Sequence, residues 1–137
     1  ERYEKAIGVG ECAGVVIDLI ATLLFESEEK IQNAQDMFDA EKWSASIYHA
    51  YSSMVNSAKA MLTSENTKVN THVSIIKDFD EKFVADGRIA VAGGFEKLVL
   101  QLNQNEPSKA FAASYIKDAK AFLETVAKFR EQELAEA

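Results

Sequence analysis

The 137-residue chain contains few residues that interrupt helices or cross-link a fold: one proline, six glycines and one cysteine. Cys12 has no partner in the chain, so an internal disulfide is excluded, which fits a reducing cytoplasm. The scarcity of proline and glycine leaves few chain breaks and favours an all-helical protein. Hydrophobic residues make up 47% of the chain, and this argues against disorder.

Basic residues are also in the minority, with 15 Lys and Arg against 22 Asp and Glu and a net charge of −7. A general nucleic-acid surface is normally basic, so nucleic acid is not the expected partner.

Long hydrophobic runs are missing too. The most apolar stretch, residues 12–25, is interrupted by Asp18, whereas a membrane span takes roughly twenty apolar residues. We therefore predict a buried helix there, no membrane association and a cytoplasmic location.

The clearest positive signal is the stretch at residues 43–62, WSASIYHAYSSMVNSAKAML. Its large apolar residues recur at the spacing of one helical face. Its other positions are mostly Ser and Ala, and small side chains allow neighbouring helices to approach closely. The stretch is therefore predicted to be the central helix of a bundle, with Ala50 and Ala58 at close helix–helix contacts.

Apolar periodicity predicts further helices on both sides of this stretch. We predict them at residues 15–38, 71–85, 95–102 and 108–134. Asp39 is the expected N-cap of the central helix. Residues 1–14 contain three glycines and are predicted to be an extended lead-in or linker. The fold class is therefore all-α: an up-down bundle of four main helices with a short fifth, spanning residues 15–137.

A polar stripe on the central helix provides the candidate binding residues. Tyr48, His49, Ser52 and Asn56 lie close together there, and His72 is expected at the start of the next helix. The two histidines lie on different helices and the HExxH pattern is absent, so no metal site is predicted. The alternative is that both histidines only make structural hydrogen bonds. No catalytic residue is assigned.

The order of these helices resembles the HEPN family of helical bundles. In that family the second helix carries alanines, aromatics and small residues before an alanine-lysine-alanine-leucine ending. The matching residues here are Ala45, Tyr48, Ala50, Tyr51, Met54, Ala58, Lys59, Ala60 and Leu62. Thr71 and His72 begin a stretch that is similar to the family's following helix. The resemblance covers about residues 19–130 and implies a HEPN-like fold.

Nuclease members of the family carry an arginine that is followed, after four to six residues, by a histidine. No arginine of this chain has such a partner: neither Arg2, Arg88 nor Arg130 is followed by a histidine at those offsets. General acid–base chemistry on the 2′-hydroxyl of RNA needs a titrating group in place. The resemblance therefore implies a bundle without that nuclease activity.

A second resemblance concerns the lead-in. Residues 8–20, GVGECAGVVIDLI, are similar to the junction at which a HEPN-like extension follows the core of a sirohaem nitrite or sulfite reductase. The missing initial Met fits such a junction. The resemblance implies that sirohaem and an iron–sulfur cluster lie in a covalently linked reductase domain. Cys12 alone cannot hold a cluster, which takes about four thiolates, so no cofactor is predicted in this chain.

These observations predict a non-catalytic accessory module for assembly or small-ligand binding, appended to a nitrite or sulfite reductase. The alternatives are a stand-alone nucleotide-binding or toxin–antitoxin type HEPN protein, or a degenerate ribonuclease. Whether the chain belongs to an enzyme stays open. A homodimer is also predicted, because residues 15–24 are apolar nearly all round the helix and a second face needs cover.

Overall fold

A computed structural model describes the backbone of residues 2–65 and 71–136, and the side chains from residue 14 onward within those ranges. The described residues form helices that are joined by turns and loops. The main helices are α1 (Arg2–Asp39), α2 (Trp43–Ser64), α3 (His72–Phe79), α4 (Phe95–Val99) and α5 (Lys109–Glu136). A π-helical turn, Asp80–Val84, continues α3, and a 3₁₀ turn, Leu100–Asn103, continues α4. The predicted all-α bundle is confirmed.

The first helix begins much earlier than predicted. Its backbone is helical from Arg2, so the expected extended conformation of residues 1–14 is wrong for residues 2–14. Glycine weakens a helix by only about 1 kcal/mol, and without a proline an established helix can extend through such residues. A Cβ added at Gly14 would meet nothing within 4 Å, so packing does not require this glycine. The division into a lead-in and a bundle stays a prediction.

Helices α1 and α2 pair through buried serines. Ser46 Oγ donates to the Ala34 carbonyl at 2.7 Å, and Ser53 Oγ donates to the Ser27 carbonyl at 2.9 Å. Both donors are fully buried. Because Oγ is small, the helices come close enough for these side chains to reach the opposite backbone. The small residues of the central helix therefore provide both close approach and hydrogen bonds between α1 and α2.

The connection between these helices differs from the prediction at its cap. Asp39 is the last residue of α1, where its carboxylate accepts a hydrogen bond from Gln35 Nε2 at 3.0 Å. Lys42 occupies the N-cap position of α2 and makes no side-chain cap bond. Glu41 has a positive φ of 60°, a conformation that closes the tight turn. Asp39 lies three residues too early to cap α2.

An aromatic cluster lies between α3, its π-helical continuation, α4 and α5. It contains Phe79, Phe83, Phe95, Phe122 and Phe129. The Phe95 ring lies 4.8 Å from that of Phe79 and 4.7 Å from that of Phe122, between centroids. These contacts join α3, α4 and α5, although the helices are separated in sequence by loops. The cluster fixes the short α4, which is too brief to be stable alone.

The start of α4 is held by a carboxylate from the π-helical turn. Asp80 Oδ1 accepts from the Phe95 backbone N–H at 2.6 Å, and Asp80 Oδ2 accepts from that of Glu96 at 2.8 Å. Gly94 precedes α4 with φ of 94°, a conformation that favours glycine. The second glycine of the Gly93-Gly94 pair is therefore required by the turn that brings α4 onto Asp80.

Part of α1 carries uncovered apolar side chains. Val15, Leu19 and Phe25 are 66%, 46% and 60% exposed, while Ile20 and Leu23 on the other face are buried. The excess apolar surface predicted for this helix is therefore present in the folded chain.

No helix among the described residues combines the length and apolarity needed to cross a membrane.

Candidate binding pocket

A polar pocket of about 270 Å³ opens between α1, α2 and α3. Four of the five predicted binding residues line it: Tyr48, Ser52, Asn56 and His72. The three from α2 share one helical face, because they follow one another at intervals of four residues. The structure thus brings together residues from two helices that the sequence had only suggested as neighbours.

The fifth predicted residue, His49, does not line this pocket. His49 is half-buried, and its ring lies beside the Tyr48 ring, with 5.9 Å between the centroids and 66° between the ring planes. One position along a helix turns a side chain by about 100°, which places His49 beyond the edge of the stripe. The two histidines therefore do not meet in one site.

Asn56 also ties the helices together. Its Nδ2 donates to the Leu23 carbonyl on α1 at 2.8 Å and lies 3.4 Å from Ser27 Oγ. These contacts hold the Asn56 amide nitrogen against α1. Ser52 lies one turn earlier on α2 and adds a hydroxyl that is a donor and an acceptor. The wall from α2 is therefore firmly positioned.

His72 is positioned by a tyrosine. The Tyr51 hydroxyl lies 3.0 Å from His72 Nδ1, and the two ring centroids are 5.5 Å apart. When Nδ1 carries no proton the hydroxyl donates to it, and Nε2 is then the donor left for a ligand. Partial burial raises the pKa of Tyr51, and the neighbouring Tyr48 raises it further. Tyr51 therefore stays protonated at neutral pH and can serve as that donor.

Two lysines give the pocket a positive lining. Lys30 of α1 and Lys59 of α2 both line it, and both are half-buried. Lysine stems can lie along apolar surface while the ammonium group reaches water, here beside Val55 and Ile75. None of the described side chains that line this pocket is a carboxylate. In a chain of net charge −7, this concentration of cationic and hydrogen-bonding groups favours an anion.

The sequence did not identify the cationic half of the site. Lys30 lies among charged residues on the exposed side of α1, and Lys59 lies in the alanine-rich end of the central helix. The one sequence signal for these cationic residues was the position of Lys59. It follows Ser52 by seven residues and Asn56 by three, which are spacings of one helical face. Lys30 carried no comparable signal, because its place depends on how α1 is rotated against α2.

The two arginines with described side chains, Arg88 and Arg130, make structural contacts within the fold. The Arg88 guanidinium donates to Glu65 Oε1 at 3.2 Å and to the Lys82 carbonyl at 2.8 Å, and it lies 4.4 Å above the Phe83 ring. The hydrogen bond to Glu65 raises the pKa of Arg88 further above its usual value. Arg130 pairs with Glu133 at 3.4 Å. Neither arginine lines the polar pocket.

Within residues 14–65 and 71–136, no three His, Cys, Asp or Glu side chains come together in a group suited to a metal ion. The pocket offers cationic and neutral groups, which suit an anion rather than a cation. Among the described side chains, therefore, the chemistry of this pocket is hydrogen bonding and charge attraction.

The HEPN domain model matches residues 20–133, and the chain belongs to this family. The match covers α1 from residue 20 onward, the whole of α2, α3 and α4, and α5 as far as residue 133. The family predicted from the central helix and the Thr71-His72 pair is therefore confirmed.

A curated relative is the protein named "Putative toxin MJ0605" from Methanocaldococcus jannaschii. It is 26% identical over 116 residues, which cover 80% of this chain and 87% of that protein. This similarity extends over nearly the whole relative. The comparisons give no support to the predicted reductase extension.

Proposed function

We propose that this chain is a stand-alone HEPN protein of the toxin–antitoxin type that binds a small phosphate-bearing ligand instead of cleaving RNA. The observation that carries the proposal is the convergence of Lys30 and Lys59 with Ser52, Asn56 and His72 around one pocket. A phosphate group would accept hydrogen bonds from these donors and be attracted by the two ammonium groups. The similarity to a protein named as a toxin supports the stand-alone type.

The binding test uses methyl phosphate and inorganic phosphate as probes, measured by calorimetry and by amide chemical shifts. The parent protein is expected to bind both saturably, and binding should weaken with salt because the attraction is electrostatic. Lys59→Gln and Lys30→Gln should each weaken binding at least about tenfold, which corresponds to about 1.4 kcal/mol. Lys109→Gln, an exposed lysine on α5, is the matched control. Absence of saturable binding by the parent protein would refute the proposal.

The catalytic part of the proposal has its own test. Single-stranded RNA should remain intact in the presence of a chelator, because no histidine follows an arginine at the nuclease spacing. The contrary result would be cleavage that persists in chelator and disappears in His49→Ala or His72→Ala. That result would favour the degenerate ribonuclease alternative.

An accessory module on a sirohaem reductase is the second candidate, and its basis is the sequence of residues 8–20 alone. The two candidates differ in genomic context. A continuous reductase reading frame upstream of Glu1 would support the module, whereas a Met codon close upstream would support the stand-alone protein. The pocket and its ligand test apply equally to both.

A homodimer is part of the proposal. Val15, Leu19 and Phe25 expose apolar side chains on α1, and a second copy of α1 would cover them in an isologous contact. Light scattering at micromolar concentration should give the mass of two chains. Leu19→Glu should lower this to the mass of one chain, while Val73→Glu, an exposed apolar position on α3, should not. A parent protein with the mass of one chain at every concentration would exclude the dimer.

A further inference from the structure

A second cleft lies directly beside the polar pocket. It has a volume of about 370 Å³ and lies between the start of α2 and the 3₁₀ turn after α4. Its apolar lining comes from Ile47, Leu100 and Leu102, with the Tyr48 and Tyr51 side chains on the side of the polar pocket. Ser44 and Asn103 add polar groups. This apolar cleft has no role in the binding of a phosphate group.

The two cavities share a wall. Tyr48 lines both of them, and Tyr51 lines the apolar cleft while its hydroxyl contacts His72 of the polar pocket. The two tyrosine rings are 6.5 Å apart between centroids and tilted by 34°. A ligand that reaches past Tyr48 would therefore contact cationic groups at one end and apolar groups at the other.

The exposure of Tyr48 points to the nature of the second group. Its side chain is 60% exposed, although it lies between two cavities, so a large part of the aromatic surface is uncovered. A flat ring can cover such a surface by stacking, and an aliphatic chain does so less well. The apolar lining would hold that ring, and Ser44 and Asn103 would hydrogen-bond to polar atoms at its edge.

We propose that the apolar cleft binds an aromatic ring of the same ligand whose phosphate occupies the polar pocket, so that the ligand class is aromatic phosphate esters. This inference rests on the proposed phosphate site. The size of the two cavities supports it, since ligand sites commonly measure about 300–1,000 Å³ and the polar pocket alone falls below that range. The ring supplies affinity by burial, and the phosphate fixes orientation.

The test compares phenyl phosphate with methyl phosphate by calorimetry on the whole chain. Phenyl phosphate is expected to bind at least about tenfold more tightly, a difference of about 1.4 kcal/mol. Leu102→Asn should remove this preference and leave the affinity for methyl phosphate unchanged. Leu134→Asn, an exposed leucine near the end of α5, is the matched control and should keep the preference.

A second measurement does not depend on the folding of a variant. In the parent protein, nuclear Overhauser contacts should connect the phenyl protons with the methyl groups of Leu100 and Leu102. If methyl and phenyl phosphate bind equally and these contacts are missing, the ring site is wrong while the phosphate site stands. If neither ester binds, the phosphate site itself is wrong and the ring site is refuted with it.

Discussion

Replacement of Asp80 by alanine is expected to destabilise the protein by about 1–2 kcal/mol. Its two carboxylate oxygens accept the backbone N–H groups of Phe95 and Glu96 at 2.6 and 2.8 Å, and thus satisfy the start of α4. Loss of an N-cap side chain typically costs about 1 kcal/mol, and the loss of two acceptors places this site in the upper part of the range. Water can replace part of the interaction, because Asp80 is only half-buried.

The aromatic cluster limits the damage. Phe95 is completely buried and keeps its ring contacts with Phe79 and Phe122 even if its N–H loses a partner. If α4 were released altogether, the cost would approach that of removing a buried phenylalanine side chain, about 3–5 kcal/mol. The expected value is smaller because packing, rather than the cap, supplies most of the attachment of α4.

Urea and thermal unfolding followed by circular dichroism measure this effect. The midpoint of thermal unfolding should fall by about 3–10 °C for Asp80→Ala. Asp80→Asn should lie between this variant and the parent, since its amide oxygen keeps one acceptor. Glu81→Ala, which changes an exposed carboxylate in the same turn, should stay within about 0.5 kcal/mol. A free energy of unfolding for Asp80→Ala within about 0.5 kcal/mol of the parent would refute the reasoning.

Two further predictions concern stability. Ala58 is fully buried, so Ala58→Leu should cost about 1–3 kcal/mol by overpacking in urea unfolding, whereas a change at the exposed Ser44 should cost less than about 0.5 kcal/mol. Burial raises the pKa of Tyr115 above its usual range. Above about pH 10 the unfolded chain loses this proton first, so stability should fall with rising pH, by at most about 1.4 kcal/mol per pH unit. Tyr115→Phe should make that decline shallower; an unchanged slope would contradict the assignment.

Local periodicity explains what the sequence could predict. The central helix was predicted at residues 43–62 and is observed at Trp43–Ser64, because its apolar spacing is a property of the helix itself. Ala50 and Ala58 are both fully buried, as expected from their small size within an apolar stripe. The family followed from the same stretch, which carries most of the characteristic residues.

Long-range contacts explain what the sequence could not predict. Lys30 and Lys59 line one pocket because of the rotation of α1 against α2, and no local pattern encodes that angle. Asp80 caps a helix that begins fifteen residues later, at a distance in sequence where cap rules do not apply. The polar half of the pocket was predictable only because three of its residues share one helical face.

A histidine added after Arg88 would restore the nuclease spacing, but we do not expect it to restore the activity. Gly93 follows Arg88 by five residues, so Gly93→His would recreate the pattern. Gly93 has φ of 80°, which strains any residue with a Cβ. The Arg88 guanidinium also bonds to Glu65 and to the Lys82 carbonyl and lies over the Phe83 ring, so its release would cost those contacts. We expect Gly93→His to be less stable in urea and inactive on single-stranded RNA. Chelator-resistant cleavage by this variant would show that Arg88 can leave its structural role.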